Sequence, residues 1–481
     1  MDKKNLKSEV ISSLFWKTFE RIGTQGIQFI VSIILARILL PDDYGVVSML
    51  LVFTTIANVF IENGFSVSLV QKKIADEKDF SSVFYTSLLI ASICYLIIYF
   101  ITPYISDFYN MPQIIPLLRV LALVLFFGAL NSVQNARISR NMEFRKLFFS
   151  SLGAIIVSGS TGIILAYLGY GPWALVWQQL SNAIATSIIL WFTSGWKPKF
   201  IFSFKAIKNL FSYGWKILVS SLIDAIYINL NNLVIGKFFS SKTLGNYNKG
   251  DQFPKLIVTN VENSLSVVML SAFSREQDSK EKLKKMLRKS IMMSAFFVFP
   301  MMLGLAAVSR NLVIVLLTEK WLGCVIYMQL LCIVYIFRPY NSINSQVIKA
   351  VGKSGVFLKI EIAKKTLGIL TLFLTVKYGV YVMTLGQIFV AIISSIINTI
   401  PNKKLLGYGY FDQVRDVFPS FVISLIMFVV VLLIGQLCLN IYLLVLLQIL
   451  SGIIVYVILS KLLKIESFEY LLNMIKNKIK N

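Results

Sequence analysis

The residues of this chain most able to do chemistry are charged and amide side chains that recur at helical spacing inside long apolar segments. An Asp, Lys or Arg near the centre of a membrane helix costs roughly 2.5–3.5 kcal/mol to insert, so it is kept where it faces a cavity or has a partner. Residues three or four positions apart share one face of a helix. Four segments carry such stripes, which are Lys17, Arg21, Thr24, Gln28 and Ser32; Ser48, Thr55, Asn58 and Glu62; Lys216, Ser220, Asp224, Tyr227 and Asn231; and Lys249, Gln252, Lys255, Thr259 and Glu262. Together they predict a hydrated cavity that binds a polar substrate.

The charges in these stripes also have structural interpretations. Lys17 and Arg21 lie near the end of an apolar segment, where long basic side chains can snorkel to lipid headgroups. Asp251 and Lys255 are four residues apart on one helix face and can neutralise each other. Binding and structural roles therefore both remain open for these basic residues.

The acidic members of the stripes are candidates for coupling transport to an ion. Asp224 has no charged partner close in sequence, which favours a position facing the cavity. Glu62 and Glu262 lie near the ends of their segments, where bracing between helices is an equal alternative. We predict that Asp224, Glu62 or Glu262 serves in proton or sodium coupling.

Composition places the chain in a membrane. Its 481 residues are 57% hydrophobic and 15% charged, whereas soluble proteins contain about 25% charged residues. The formal net charge is +24, but the basic residues cluster between apolar runs. That distribution is typical of topology signals and of contacts with anionic lipid headgroups, and it argues against nucleic-acid binding.

The composition also limits the chemistry. There is no histidine, which excludes histidine acid–base catalysis, histidine metal sites and histidine proton relays. The four cysteines stand singly in apolar segments, without CxxC spacing, at Cys94, Cys324, Cys332 and Cys438. We therefore predict no metal site and no cofactor.

The apolar runs predict an all-α integral membrane protein, because about 20 apolar residues are needed to span a bilayer as a helix. Fourteen segments meet this length, with the eighth the most polar: 12–38, 43–66, 81–103, 114–135, 148–170, 172–193, 211–238, 243–271, 287–309, 324–347, 357–377, 380–400, 417–437 and 440–462.

An internal repeat supports the eighth segment and predicts the architecture. At an offset of two hundred positions, Arg37 matches Lys237, Gly45 matches Gly245, and Glu62 matches Glu262. Further matches extend through both halves. They predict a six-helix lobe over residues 1–200, a second over 201–405, and a terminal helix pair with a tail over 406–481. Six helices are an even number, so both lobes enter the membrane from the same side, as in transporters built from parallel repeats.

Most of the 47 Lys and Arg residues fall at the N-terminus, the C-terminus and the even-numbered connections. Because cytoplasmic loops are enriched in Lys and Arg, both termini are predicted to be cytoplasmic. Connections of about twenty residues or fewer leave no room for a soluble catalytic domain.

Three motifs resemble those of a known family. Residues 34–45, Ile-Leu-Ala-Arg-Ile-Leu-Leu-Pro-Asp-Asp-Tyr-Gly, resemble the opening signature of bacterial polysaccharide flippases, and residues 244–248 resemble the matching signature in the second half. Residues 131–145, which contain Asn-Ser-Val-Gln-Asn-Ala-Arg and Asn-Met-Glu-Phe-Arg, resemble the lipopolysaccharide and teichuronic acid export branch (Wzx-C-like). The resemblance covers the whole chain. It implies the multidrug/oligosaccharidyl-lipid/polysaccharide superfamily, two V-shaped lobes and alternating access.

The resemblance further implies a flippase for polyprenyl-diphosphate-linked oligosaccharides in the bacterial cytoplasmic membrane. No family motif in this sequence assigns the basic residues. Our own hypothesis is that Lys17, Arg21, Lys249 and Lys255 contact the diphosphate or acidic sugars, and that the amide and hydroxyl groups of the stripes solvate sugar hydroxyls. Expected partners are the lipid-linked oligosaccharide, membrane lipids and the polysaccharide polymerase machinery.

Two alternatives belong to other classes. A small-molecule or drug antiporter can use the same scaffold. An integral-membrane glycosyltransferase can place acidic catalytic residues on an external loop, as at Asp42 and Asp43. The run from Pro41 to Gly45, however, also fits a turn followed by a helix N-cap. The sequence therefore favours a transporter over an enzyme.

Overall fold

The computed structural model describes residues 3–62, 65–73 and 75–480. Over these residues the regular structure is entirely helical, with two short 3₁₀ helices at Glu319–Cys324 and Val376–Tyr378. The chain forms two compact units, Met1–Gly245 and Asn246–Asn481. The predicted all-α membrane fold is confirmed.

Over its described residues, the first unit contains nine helices and the first turn of a tenth. They are α1 (Lys3–Ile38), α2 (Pro41–Glu62), α3 (Ser66–Gln71), α4 (Glu77–Tyr109), α5 (Ile114–Leu121), α6 (Val124–Arg140), α7 (Phe144–Tyr167), α8 (Pro172–Ser194), α9 (Phe204–Phe238) and the start of α10 (Ser241–Arg275).

Within its described residues, the second unit contains the rest of α10 and seven further α-helices, besides the two 3₁₀ helices. These are α11 (Lys280–Leu317), α12 (Val325–Ala350), α13 (Ser354–Thr375), α14 (Val380–Leu406), α15 (Tyr410–Ile434), α16 (Ile441–Leu462) and α17 (Glu466–Lys480).

Within the described residues, the predicted membrane segments fall mainly on helices. The second segment runs from α2 to the start of α3 across residues 63 and 64, which lie outside the described residues, and the fourth is divided between α5 and α6 by a turn at Ala122 and Leu123. Within the described part of the chain, ten helices or joined helices are long and apolar enough to cross a membrane. Predicted segments on α1, α8, α10 and α13 fall outside these ten, and each contains amide or charged residues that lower its mean hydropathy. The protein is a multi-pass membrane protein, and the count of fourteen spans stays a prediction.

The eighth segment, the most polar in sequence, is helical throughout α10, with Pro254 inside it. A proline within a membrane helix is tolerated when neighbouring groups satisfy the freed carbonyl. In the first unit, α9 packs against α2 and α4. The predicted lobe boundaries at residues 200 and 405 stay a prediction.

In the first unit, α7 packs against both α1 and α8. Two glycines allow this close packing. A methyl group added at Gly159 would lie 2.7 Å from Val31 Cγ2 on α1, and one added at Gly162 would lie 3.1 Å from Gln178 Cβ on α8. Small residues at such positions let membrane helices approach closely.

The second unit is built around α11, which packs against α12, α15 and α16. Arg288 on α11 donates to Asp416 on α15 at 2.9 Å and to both carboxylate oxygens of Glu466 on α17 at 2.9 and 3.1 Å. This bidentate pair ties the C-terminal helix to the bundle, since Arg and a carboxylate have matching planar geometry.

The first turns of α2 and α10 meet backbone to backbone. A Cβ atom added at Gly45 would collide with the carbonyl of Ser241, and one added at Gly245 would collide with the carbonyl of Pro41. Ser241 also donates its hydroxyl hydrogen to Asp42 Oδ1. The glycines that match in the repeat are therefore the residues that allow these two helix starts to pack together.

We expect Gly45→Ala to reduce the folded yield sharply and to lower the melting temperature, because the new methyl group overlaps backbone that cannot rotate away. Gly26→Ala is the matched control, since Gly26 lies within α1 with open space around its Cα and alanine favours helix by up to about 1 kcal/mol. Size-exclusion and thermal unfolding of both purified variants measure the difference. Equal stability of the two would contradict the close packing.

Candidate functional site

Charged and phenolic side chains from α10 and α12 form a connected cluster in the second unit. Tyr335 donates its hydroxyl hydrogen to Asp251 Oδ1 at 2.8 Å. The other oxygen of Asp251 lies 3.6 Å from Lys255 Nζ. The predicted pairing of Asp251 with Lys255 is thus present, but Asp251 also binds a residue of a second helix.

The cluster continues along α12. Arg338 lies one turn after Tyr335, and its guanidinium carbon is 5.2 Å from the centre of the Tyr335 ring, within the range of a cation–π contact. The same guanidinium lies 3.6 Å from Glu262 on α10. We refer to Asp251, Lys255, Glu262, Tyr335 and Arg338 as the α10/α12 charge cluster.

Exposure within the α10/α12 charge cluster differs by sign. The carboxylate side chains of Asp251 and Glu262 are 21% and 16% exposed, whereas Lys255 and Arg338 are 51% and 44% exposed. The two carboxylates are therefore the more buried partners, and the two basic side chains extend toward the exposed surface. Such an arrangement can offer charge-assisted hydrogen bonds to an anion, which are stronger than bonds between neutral groups.

Local features of both helices position the cluster. A methyl group added at Gly250 would lie 2.8 Å from the carbonyl oxygen of Cys324, so α10 lies close to the start of α12 one residue before Asp251. Pro254 and Pro339 each lack a backbone N–H, which leaves the carbonyls four residues earlier without their usual helical donor. One of these carbonyls belongs to Tyr335, a member of the cluster.

The remaining predicted residues of α10 lie elsewhere. Lys249 is only 3% exposed, and its ammonium nitrogen is 5.7 Å from the centre of the buried Trp321 ring. Thr259 donates to the carbonyl of Lys255 at 2.7 Å, and Gln252 is half-buried. The stripe is therefore split, because Lys255 reaches outward whereas Lys249 is enclosed within its own unit.

The predicted stripe of α9 is the most open. Lys216, Ser220 and Asp224 are exposed and Asn231 is half-buried. In the most apolar stretch of this helix only 6% is buried, the lowest value among the ten candidate spans of the described chain. The openness of this face is compatible with a substrate path, and the binding roles of its residues stay a prediction.

The stripes of α1 and α2 are placed differently from each other. Thr24 and Gln28 line a polar cavity between α1, α7 and α8, and Arg21 is half-buried. The side chain of Lys17 lies outside the described residues. On α2, the carbonyl oxygen of the Asn58 side chain is buried close to Gly128 of α6.

Among the predicted ion-coupling residues, Glu62 is an exposed residue at the end of α2. Glu262 braces α10 to α12 through Arg338. The α10/α12 charge cluster thus brings Lys255 and Glu262 together. That the four stripes line one cavity stays a prediction. The roles of Asp224, Glu62 and Glu262 in ion coupling stay predictions as well.

Sequence reasoning missed Tyr335 and assigned no role to Arg338. An arginine within an apolar segment is itself a signal, because its insertion cost requires a partner or water. The partner, Glu262, is far away in sequence, so only the packing of the two helices reveals it.

The acidic pair considered for catalysis is engaged in the helix start. Asp43 accepts from the backbone N–H of Leu40 at 2.9 Å, and Asp42 accepts from the Ser241 hydroxyl. The first bond joins the third residue of α2 back to the residue before the helix, as in one half of a capping box, and the second joins the start of α2 to α10. The turn-and-cap interpretation accounts for both carboxylates.

The motif over residues 131–145 likewise makes structural contacts. Asn131 accepts from Ser187 on α8 at 2.7 Å, and Gln134 donates to the carbonyl of Trp196 at 3.3 Å. Arg140 donates to the carbonyls of Leu69 and Lys73 at 2.9 and 2.7 Å, beside the end of α3. These residues join α6 to neighbouring segments of the first unit.

Arg338→Gln is expected to lower stability by about 1 kcal/mol, the upper range for a pair with an exposed partner, because Glu262 loses its counter-charge. Glu262→Gln in the same protein should restore part of the loss. Thermal unfolding of the two single variants and the double variant in a mutant cycle measures the coupling. Additive effects of the two substitutions would show that the contact contributes nothing.

Comparison with known proteins agrees with the family resemblance of the sequence motifs. Residues 34–326 match the family described as polysaccharide biosynthesis protein. The chain is 22% identical to the teichuronic acid biosynthesis protein TuaB of Bacillus subtilis, over 86% of this chain and 87% of that protein. It is 23% identical to the lipopolysaccharide biosynthesis protein WzxC of Escherichia coli, over 88% and 86%.

Solved structures show the same fold. The lipid II flippase MurJ in an inward closed conformation aligns with a TM-score of 0.74 at 18% identity, covering 94% of this chain and 98% of that one. An inward-facing multidrug resistance MATE family transporter aligns with a TM-score of 0.63 at 14% identity, covering 80% and 94%. Since the family match spans more than half of the sequence, this chain belongs to the polysaccharide biosynthesis protein family.

Proposed function

We propose that this chain is a flippase that moves polyprenyl-diphosphate-linked oligosaccharides across the cytoplasmic membrane by alternating access, for cell-surface polysaccharide synthesis. Its family and its fold support the proposal. A relative in Rhizobium meliloti, 25% identical over 65% of this chain, is named a succinoglycan biosynthesis transport protein, and MurJ is named a lipid II flippase.

The observation that carries the proposal is the α10/α12 charge cluster. A diphosphate needs cations that can approach it, and Lys255 and Arg338 are the half-exposed cations of the cluster. The carboxylate partners of Lys255 and Arg338 weaken their attraction for an anion, because each cation already has a counter-ion when the substrate is absent. Reversible binding requires such moderation, since a substrate that is flipped must also be released.

The headgroup contact proposed here therefore rests on Lys255 and Arg338. Lys249 is enclosed beside Trp321 and is less suited to direct contact. Arg21 remains a candidate for contact with the diphosphate or an acidic sugar. The exposed Ser220 and Asp224 of α9 are suited to solvating sugar hydroxyls.

Three finer features belong to the same proposal. Both termini face the cytoplasm, as the distribution of Lys and Arg indicates. Ion coupling uses Asp224, Glu62 or Glu262, of which Asp224 and Glu62 are exposed. The polysaccharide polymerase machinery receives the translocated unit.

Two other functions give different outcomes in one experiment. An integral-membrane glycosyltransferase would need free acidic residues on an external loop, but Asp42 and Asp43 are bonded within the helix starts. A small-molecule antiporter would use the same fold without acting on lipid-linked sugars. Neither has a specific observation in its favour.

Deletion of the gene should trap a complete lipid-linked repeat unit in the inner leaflet, because assembly continues while translocation stops. Mass spectrometry of extracted lipid-linked intermediates measures this directly, and complementation with the wild-type gene is the control. A truncated unit would instead indicate a transferase, and no accumulation would indicate an exporter of something else.

In the complemented strain, the double variant Lys255→Gln, Arg338→Gln should lower export at least tenfold, because both accessible cations of the cluster are lost. Lys377→Gln is the matched control, since Lys377 is an exposed lysine of the same unit outside the cluster. Surface polysaccharide and protein level in the membrane are measured together. Wild-type export at equal protein level would contradict the headgroup role.

A further inference from the structure

A second polar site lies wholly within the first unit. It is a cavity of about 230 Å³ between α1, α7 and α8, which we call the α1/α7/α8 cavity. Its lining includes the four side-chain amides of Gln28, Gln178, Gln179 and Asn182. A water molecule needs only roughly 10–15 Å³ of such space, so the cavity can hold a small organic molecule.

Hydroxyl groups and one carboxylate complete the polar lining. Thr24, Ser151, Ser158 and Thr186 contribute hydroxyls, and Glu20 contributes the carboxylate. Val31 and Ile155 are the apolar members. Among the described residues that line the cavity there is no Lys or Arg, in contrast to the α10/α12 charge cluster.

Some of these polar groups are held in place before any ligand arrives. Ser151 donates to Glu20 Oε1 at 3.3 Å, and Asn182 donates to Ser158 Oγ at 3.1 Å. Gly162 lets the backbone of α7 lie close to the Gln178 side chain, since a Cβ added there would be 3.1 Å from Gln178 Cβ. A site whose groups are already oriented loses less conformational entropy on binding.

An aromatic cluster lies one helical turn away from the cavity. Trp16 and Phe19 precede Glu20 on α1, and their rings are 5.8 and 5.3 Å from the ring of Phe148, which precedes Ser151 on α7. Phe19 is half-exposed. Of the three rings only Phe19 is exposed, so it is the one whose face is open to the C–H face of a sugar ring.

We propose that the α1/α7/α8 cavity binds a neutral sugar residue of the lipid-linked oligosaccharide, an inference that rests on the proposed function. Amides and hydroxyls each offer both a donor and an acceptor, which matches the alternating needs of sugar hydroxyls. An anionic sugar meets the Glu20 carboxylate and, among the described lining residues, no basic side chain, so it binds more weakly. The cavity therefore selects uncharged sugars.

A monovalent cation is the competing ligand, because Glu20 and the amide oxygens could also coordinate one. The volume argues against it, since the cavity is far larger than a bare ion. The lining also contains several amide N–H groups, which repel a cation but bind sugar oxygens. A sugar can use both the N–H groups and the oxygens of the amides, because its hydroxyls both accept and donate hydrogen bonds.

The test uses the purified full-length protein in nanodiscs with three probes: methyl β-glucopyranoside, methyl N-acetyl-β-glucosaminide and methyl β-glucuronide. Saturation-transfer difference NMR detects binding, and titration with each glycoside measures its affinity. At least one neutral glycoside should bind, with the glucuronide at least tenfold weaker. Asn182→Leu and the milder Thr186→Val should each reduce affinity at least fivefold. Gln25→Leu, on α1 outside the lining, should leave affinity unchanged.

Size-exclusion and thermal unfolding identify any variant that fails to fold, and Thr186→Val then decides the outcome. Unchanged affinity in folded cavity variants, or equal binding of the glucuronide, overturns the sugar site. Sodium binding that is lost in Glu20→Gln, without glycoside binding, overturns it in favour of a cation. If the wild-type gene restores export while neither neutral glycoside binds, only the sugar site fails. Failure of the deletion strain to accumulate lipid-linked units overturns the proposed function itself.

Discussion

The close contact between the first turns of α2 and α10 is the constraint that fixes how these two repeat-related helices begin. Gly45 and Gly245 leave no room for a side chain, so the two helix starts meet backbone to backbone. Asp42 and Ser241 join them further through a hydrogen bond. Because a helix is rigid over one or two turns, this contact determines where the side chains of the two first turns point. Asp42 and Ser241 take their mutual orientation from it.

The repeat keeps this scaffold and changes its polarity. Met49 is buried in the first copy, and the matching Lys249 is buried beside Trp321 in the second. Two and six residues further along, the second copy carries Asp251 and Lys255, which belong to the α10/α12 charge cluster. The repeat thus carries uncharged residues at these positions in the first copy and charged residues in the second. The asymmetry matters because only the charged copy can bind an anion directly.

Much of the fold could be predicted from the sequence, because long apolar runs become helices wherever backbone groups must be satisfied without water. Local relations were equally accessible, and the Asp251–Lys255 pair follows from spacing alone. What the sequence could not show is which face of α10 turns inward. Gly250 lies against Cys324 and its neighbour Lys249 is enclosed, whereas Lys255 stays accessible. Contacts between helices distant in sequence decide this rotation, and periodicity carries no information about them.

The two proposed sites differ in a way that suits a substrate with two chemical parts. The α10/α12 charge cluster offers cations, and the α1/α7/α8 cavity offers amides and hydroxyls without cations. A diphosphate is common to all polyprenyl-diphosphate-linked sugars, whereas the sugars themselves vary between polysaccharides. Recognition of the diphosphate therefore supplies affinity for the whole substrate class. Recognition of the sugars supplies discrimination between glycans, since a buried polar group left unpaired by the wrong sugar costs about 1–3 kcal/mol. Changes in the cavity should alter which glycan is exported, whereas changes in the cluster should slow export of all of them.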